Sequence, residues 1–189
     1  MKNKIPILMA LFSTALSMVV ALVIYAVATH GESGFSSKAY KWNKKDFPLP
    51  VGIVNEDPKL SQLNREALRS AVSITNNRLG FQAFQISSAG AFWYERVRIT
   101  VEFQVPYEKD KMEHSGLATC MQDFCRVQIC NVGTLAGTVL ALRHELGHVL
   151  GLAHDDFEDS LMYEGGLNEN QQYRLTDYDR SIIRARYAP

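Results

Sequence analysis

The stretch from Thr134 to His154 constrains this chain more than any other part of it. Leu135, Val139, Leu142, Leu146, Val149 and Leu150 recur at steps of three and four, so they share one face of a helix. His144 and His148, four residues apart, then lie together on nearly the opposite face. Glu145 sits about 100° round from its neighbours. Gly151 comes where the chain must leave the helix, and glycine takes a left-handed turn there without a Cβ penalty. That turn brings His154 back toward the two helical histidines.

Neutral imidazole nitrogens are natural zinc ligands, and three protein ligands leave a fourth position open, as catalytic rather than structural zinc sites do. His144, His148 and His154 are therefore the expected metal ligands. Glu145 can reach a water on the metal without ligating it, which suits a general base. Zinc brings its bound water toward a pKa of about 7, and Glu145 would take the proton as that water attacks a peptide carbonyl. A bare H-E-x-x-H pattern arises easily by chance; Gly151, His154 and a methionine downstream, Met162, give the longer pattern one common explanation. The rival reading is a non-catalytic zinc-containing module that holds peptides at the membrane. Glu145 separates the two, because a pure binding site has no need of a base there.

The rest of the chain reads as one α+β domain. Val51 to Val54 forms a first strand, and Asp57 with Pro58 starts a helix that Gly80 stops. Phe81 to Ile86 is a second strand. Val97 to Phe103 alternates cleanly between apolar and polar residues, which requires one buried and one wet face. Gly116 to Cys120 and Cys125 to Cys130 are two more strands joined by a turn at Met121 to Phe124. Thr176 caps a closing helix that carries Asp177 and Asp179 in its first turn and runs to Tyr187.

The string His144-Glu145-Leu146-Gly147-His148-Val149-Leu150-Gly151-Leu152-Ala153-His154 resembles the long zinc signature of the metzincin clan of metallopeptidases, and Ser160-Leu161-Met162-Tyr163 resembles its Met-turn. The likeness is greatest to matrixin-type catalytic domains and extends from Trp42 to Tyr187. It implies a zincin-like fold with a twisted mixed sheet of about five strands and three main helices, beside the N-terminal hydrophobic helix. It further implies that Met162 forms an apolar floor beneath the ligands. Gly116 to Cys120 would be the edge strand along which an extended peptide substrate lies. Four features depart from the matrixin pattern. No Pro-Arg-Cys-Gly-like stretch stands ahead of the domain, so thiol-switch latency is not expected. Only His30 and His114 lie outside the signature, too few for a second zinc. Asp155 resembles the adamalysin pattern, while Glu164 stands where astacin-like enzymes place a tyrosine ligand.

Residues Ile5 to Ala28 carry no charged side chain and follow Lys2 and Lys4. The run exceeds the roughly 20 residues that cross a bilayer core and the apolar stretch of a cleavable signal. Residues 1–28 are read as a transmembrane anchor, with a signal peptide cleaved after Ala28 as the alternative. Residues 29–45 are a tether and 46–189 the peptidase domain. Either way the domain is expected outside the cytoplasm, membrane-anchored or secreted. Lys38, Lys41, Lys44 and Lys45 argue the other way by charge, but a large domain translocates largely regardless.

Twenty basic and twenty acidic residues balance, so no basic stripe points to nucleic acid, and the expected partners are proteins or peptides. Three cysteines cannot all pair within one chain; a Cys120 to Cys125 bridge with Cys130 as a buried thiol is expected. Asp155, Asp156, Glu158 and Asp159 offer carboxylates to calcium, yet no ligand-rich loop of fixed spacing is present, and they read as a solvated loop. Phe92-Trp93-Tyr94 suits core packing or a substrate-facing loop, and His114 a surface position.

Overall fold

Alternate residues of three strands line up to make one apolar face. In the computed structural model, β1 (Leu49–Ile53) pairs in parallel with both β2 (Phe84–Ile86) and β3 (Arg98–Gln104). β3 in turn pairs in parallel with β5 (Phe124–Cys130), and β4 (Gly116–Met121) closes that side antiparallel to β5. The order is β2-β1-β3-β5-β4. The registers Ile99↔Cys125, Val101↔Val127 and Phe103↔Ile129 set six buried side chains together, and Val51↔Ile99 continues the row onto β1. A shift by one residue would turn every one of them to the other face, so this core fixes the register.

The structure describes residues 41–54, 61–88, 96–104, 116–121, 123–130, 134–165 and 172–189. The hydrophobic segment 5–28, the tether up to residue 40, the Asp57-Pro58 helix start, Phe92 to Tyr94, His30 and His114 lie outside them. Among the described residues no helix is long and apolar enough to cross a membrane.

Among the described residues three α-helices complete the α+β fold: α1 (Ser61–Leu79), α2 (Leu135–Val149) and α3 (Asp177–Tyr187). α1 packs against α2, β2 and α3, while α2 packs against β4 and β5. Their burial follows from sequence spacing. α1 buries Asn64, Ala67, Leu68, Ala71, Val72, Thr75 and Leu79 at helical intervals. α3 starts with a capping box, in which the Asp179 N–H donates to Thr176 Oγ1 at 3.0 Å and the Thr176 N–H donates to Asp179 Oδ2 at 3.1 Å. Ile183 and Tyr187 of α3 enter the core.

Burial along α2 is wider than the single leucine stripe expected from its sequence. Leu142, Leu146 and Val149 are buried as expected, but so are Thr138, Leu140, Ala141, Glu145 and Gly147. The physical reason is that α2 is enclosed on more than one side, by α1 and by β4 and β5. Trp42, which falls in the segment read as tether, is 4% exposed, and its indole N–H donates to the Val149 carbonyl at 2.7 Å. That bond satisfies one of the carbonyls left without a partner at the end of α2.

The strand turn holds the Cys120–Cys125 disulfide, between residues that face each other in the β4/β5 register. Cys130 stays outside the bridge and is half-buried.

Candidate metal centre

α2 begins at Thr134, whose hydroxyl oxygen accepts from the Gly137 N–H at 3.1 Å. It ends in the turn that Gly151 permits. Gly151 has φ 95°, its N–H donates to the His148 carbonyl at 2.8 Å, and the Leu152 N–H donates to the Gly147 carbonyl at 3.0 Å. These two bonds make a Schellman motif. The turn folds Leu152 back on the helix, so that its carbonyl accepts from His148 Nδ1 at 2.9 Å. His144 Nδ1 likewise donates to the Leu161 carbonyl, at 2.7 Å.

These two bonds settle the tautomers. A carbonyl oxygen can only accept, so the proton sits on Nδ1 of both rings and Nε2 carries the lone pair. Burial pushes the His144 pKa down to about 4, reinforced by His148 and His154 and opposed by the Leu161 bond. Burial also lowers that of His148. Near neutral pH both rings are therefore neutral, with bare Nε2 atoms.

The Nε2 atoms of His144, His148 and His154 stand 3.1 Å from one another on all three sides of a triangle. No hydrogen bond can join His144 to His148 through two bare nitrogens, and lone pairs converging at that distance repel unless a cation lies among them. Nitrogens about 2.0–2.1 Å from a tetrahedral zinc stand about 3.3 Å apart, close to the observed triangle. The donor set, with the Leu161 and Leu152 carbonyls orienting two of the rings, thus fits zinc. Among the described residues this is the one His, Cys, Asp and Glu group close enough to share an ion.

Glu145 lies between α2 and β4 and is 4% exposed. Burial raises its carboxyl pKa to about 7, against a hydrogen bond with the Ala118 backbone that favours the charged form. A carboxyl poised near neutrality can hold or release a proton. Burial, and after it the charge of Glu145, push the Cys130 thiol up, so this cysteine is not an activated nucleophile.

Met162 is fully buried and packs against Gly147 of α2, where an added Cβ would run into its sulfur. Its turn is held by Asp155, which sequence reasoning placed in a solvated acidic loop. Asp156, Glu158 and Asp159 are indeed exposed, but Asp155 is buried. Asp155 Oδ2 accepts from the Ser160 hydroxyl at 2.5 Å, Oδ1 accepts from the Phe157 N–H at 3.1 Å, and Ser160 Oγ accepts from the Met162 N–H at 3.0 Å. The Asp155 N–H also donates to the Met162 carbonyl at 2.9 Å. The residue next to His154 is thereby tied to the turn under the helix. The available signals were the adamalysin-like position of Asp155 and the hydroxyl of Ser160 two residues before Met162.

Residues 131–188 match the matrixin family of peptidases, so this part of the chain, which holds all three histidines and Met162, is matrixin-like. No curated protein sequence matches the chain. Among solved structures that do match, the crystal structure of archaemetzincin from Methanopyrus kandleri has a TM-score of 0.47 at 12% identity, covering 73% of this chain and 94% of that one.

Proposed function

We propose that this matrixin-like chain is a zinc-dependent endopeptidase that hydrolyses internal peptide bonds of proteins, with His144, His148 and His154 as ligands and Glu145 as general base. The observation that carries the reading is the pair of Nδ1 bonds to Leu161 and Leu152, which leaves bare Nε2 atoms within 3.1 Å of one another on the same helix that carries the buried Glu145 carboxyl. When bound, zinc supplies an acidified water and polarises the substrate carbonyl.

The chain's own residues do the rest. Leu161 and Leu152 hold two imidazoles in one tautomer. Glu145 accepts a proton at a carboxylate oxygen and returns one to the leaving amine. Met162 provides the apolar floor. Among the described strands β4 has a neighbour on one side, and an extended peptide would add along its other edge as a further strand. The Cys120–Cys125 disulfide supports an oxidising location, in keeping with residues 5–28 acting as an anchor or signal.

The test is cleavage of a mixed peptide library by the zinc-loaded full chain and by Glu145→Gln. Hydrolysis is expected from the wild type and a loss of at least about 100-fold from the variant. Equal activity in both would remove Glu145 from the mechanism. Peptide binding without cleavage in either would favour the binding module.

A further inference from the structure

We infer that Gly116 is a positioning residue for Glu145: by presenting no side chain to α2, it fixes where the carboxylate stands. The inference rests on the reading of Glu145 as the base.

Glycine is a poor choice for a strand on local grounds, since it costs backbone entropy and packs nothing. Gly116 has no conformational need to be glycine either, because the left-handed glycines among the described residues are Gly80 and Gly151. The reason lies opposite it. In β4 the residues Gly116, Ala118 and Cys120 are the better covered set, and Leu117, Thr119 and Met121 the exposed one. A Cβ at Gly116 would lie 2.6 Å from Oε1, 2.7 Å from Cγ and 2.9 Å from Cδ of Glu145. Three atoms of one side chain would be closer than van der Waals contact allows.

Neither wall is free to retreat. β4 is in register with β5 along its whole length and is joined to it by the Cys120–Cys125 bridge. α2 is seated by Leu142 and Leu146, both fully buried. The Glu145 side chain would have to turn instead, away from the Ala118 backbone that bonds it. A displacement of about 1 Å in a reacting group costs on the order of 100-fold in rate.

The experiment compares wild type, Gly116→Ala and Glu145→Gln as zinc-loaded full chains on one cleaved peptide, measuring kcat, KM, Tm and zinc content. An added Cβ crowds a buried side chain, so a role in packing alone gives Gly116→Ala a lower Tm with unchanged kcat. The expected result is a kcat lower by about 10- to 100-fold at a temperature well below the variant's Tm, with KM within about threefold and zinc retained. Unchanged kcat would overturn the inference, and so would zinc loss or a matching rise in KM. If Glu145→Gln is inactive and Gly116→Ala fully active, the positioning role alone falls. If Glu145→Gln is as active as wild type, the base falls and the positioning role with it.

Discussion

Replacing Glu145 by Gln in the metal-free protein should make it more stable, and by an amount that depends on pH. The carboxyl is pushed from 4.5 to about 7 because burial disfavours its charge. A raised carboxyl pKa means that the native state binds more protons than the unfolded chain between those two values. Stability is then complete below pH 4.5 and is lost as pH rises through 7. The shift of roughly 2.5 units, at 1.36 kcal/mol per unit, amounts to about 3 kcal/mol at pH 8 and about 1 kcal/mol at pH 5. Against a typical total of about 5–15 kcal/mol this is large. Gln has the same shape, can accept from the Ala118 N–H, and never ionises. Urea unfolding of chelator-treated wild type and Glu145→Gln, followed by circular dichroism at pH 5 and pH 8, measures it. A variant no more stable at pH 8, or one whose gain is the same at both pH values, would refute the reasoning. With zinc added the gain should shrink, since a nearby cation favours the carboxylate.

Three further outcomes follow from neighbouring contacts. His144 has its folded pKa lowered from 6.5 to about 4, so the unfolded chain binds more protons in that window, and the metal-free protein should lose Tm as pH falls from about 6.5 toward 4; a flat Tm there in Glu145→Gln, where the opposing carboxyl is gone, would contradict this. Gly147→Ala should displace Met162 and cost about 1–3 kcal/mol in urea unfolding, with weaker zinc binding by competition with a chelator. Asp155→Ala strands the buried Ser160 hydroxyl and should cost about 1–3 kcal/mol, whereas a surface aspartate would change stability by less than about 0.5 kcal/mol.

What the sequence revealed and what it hid have the same cause. The spacing of His144, His148, Gly151 and His154 is local geometry: one helix and one turn place all four residues, so the three-histidine cluster could be read in a line. Caps are equally local, and Thr176 caps its helix as its position suggests. The alternation in β3 was legible because one face is buried. By contrast, the burial of Glu145 depends on β4, and sequence cannot show which strand will lie over a given turn of helix. Gly116 and Gly147 are visible as glycines, but what approaches them is a tertiary fact. Asp155 looks like its acidic neighbours until Ser160 and the Phe157 N–H close on it. Trp42 was separated from the core by a polar stretch that gave no sign of the Val149 carbonyl it would meet.

The central claim is tested most directly by adding zinc stepwise to the chelator-treated full chain while following hydrolysis of an internally quenched peptide. Activity should rise in proportion to bound zinc, stop near one ion per chain, and stay at background throughout in Glu145→Gln. Full binding of zinc with no hydrolysis above that background would contradict it.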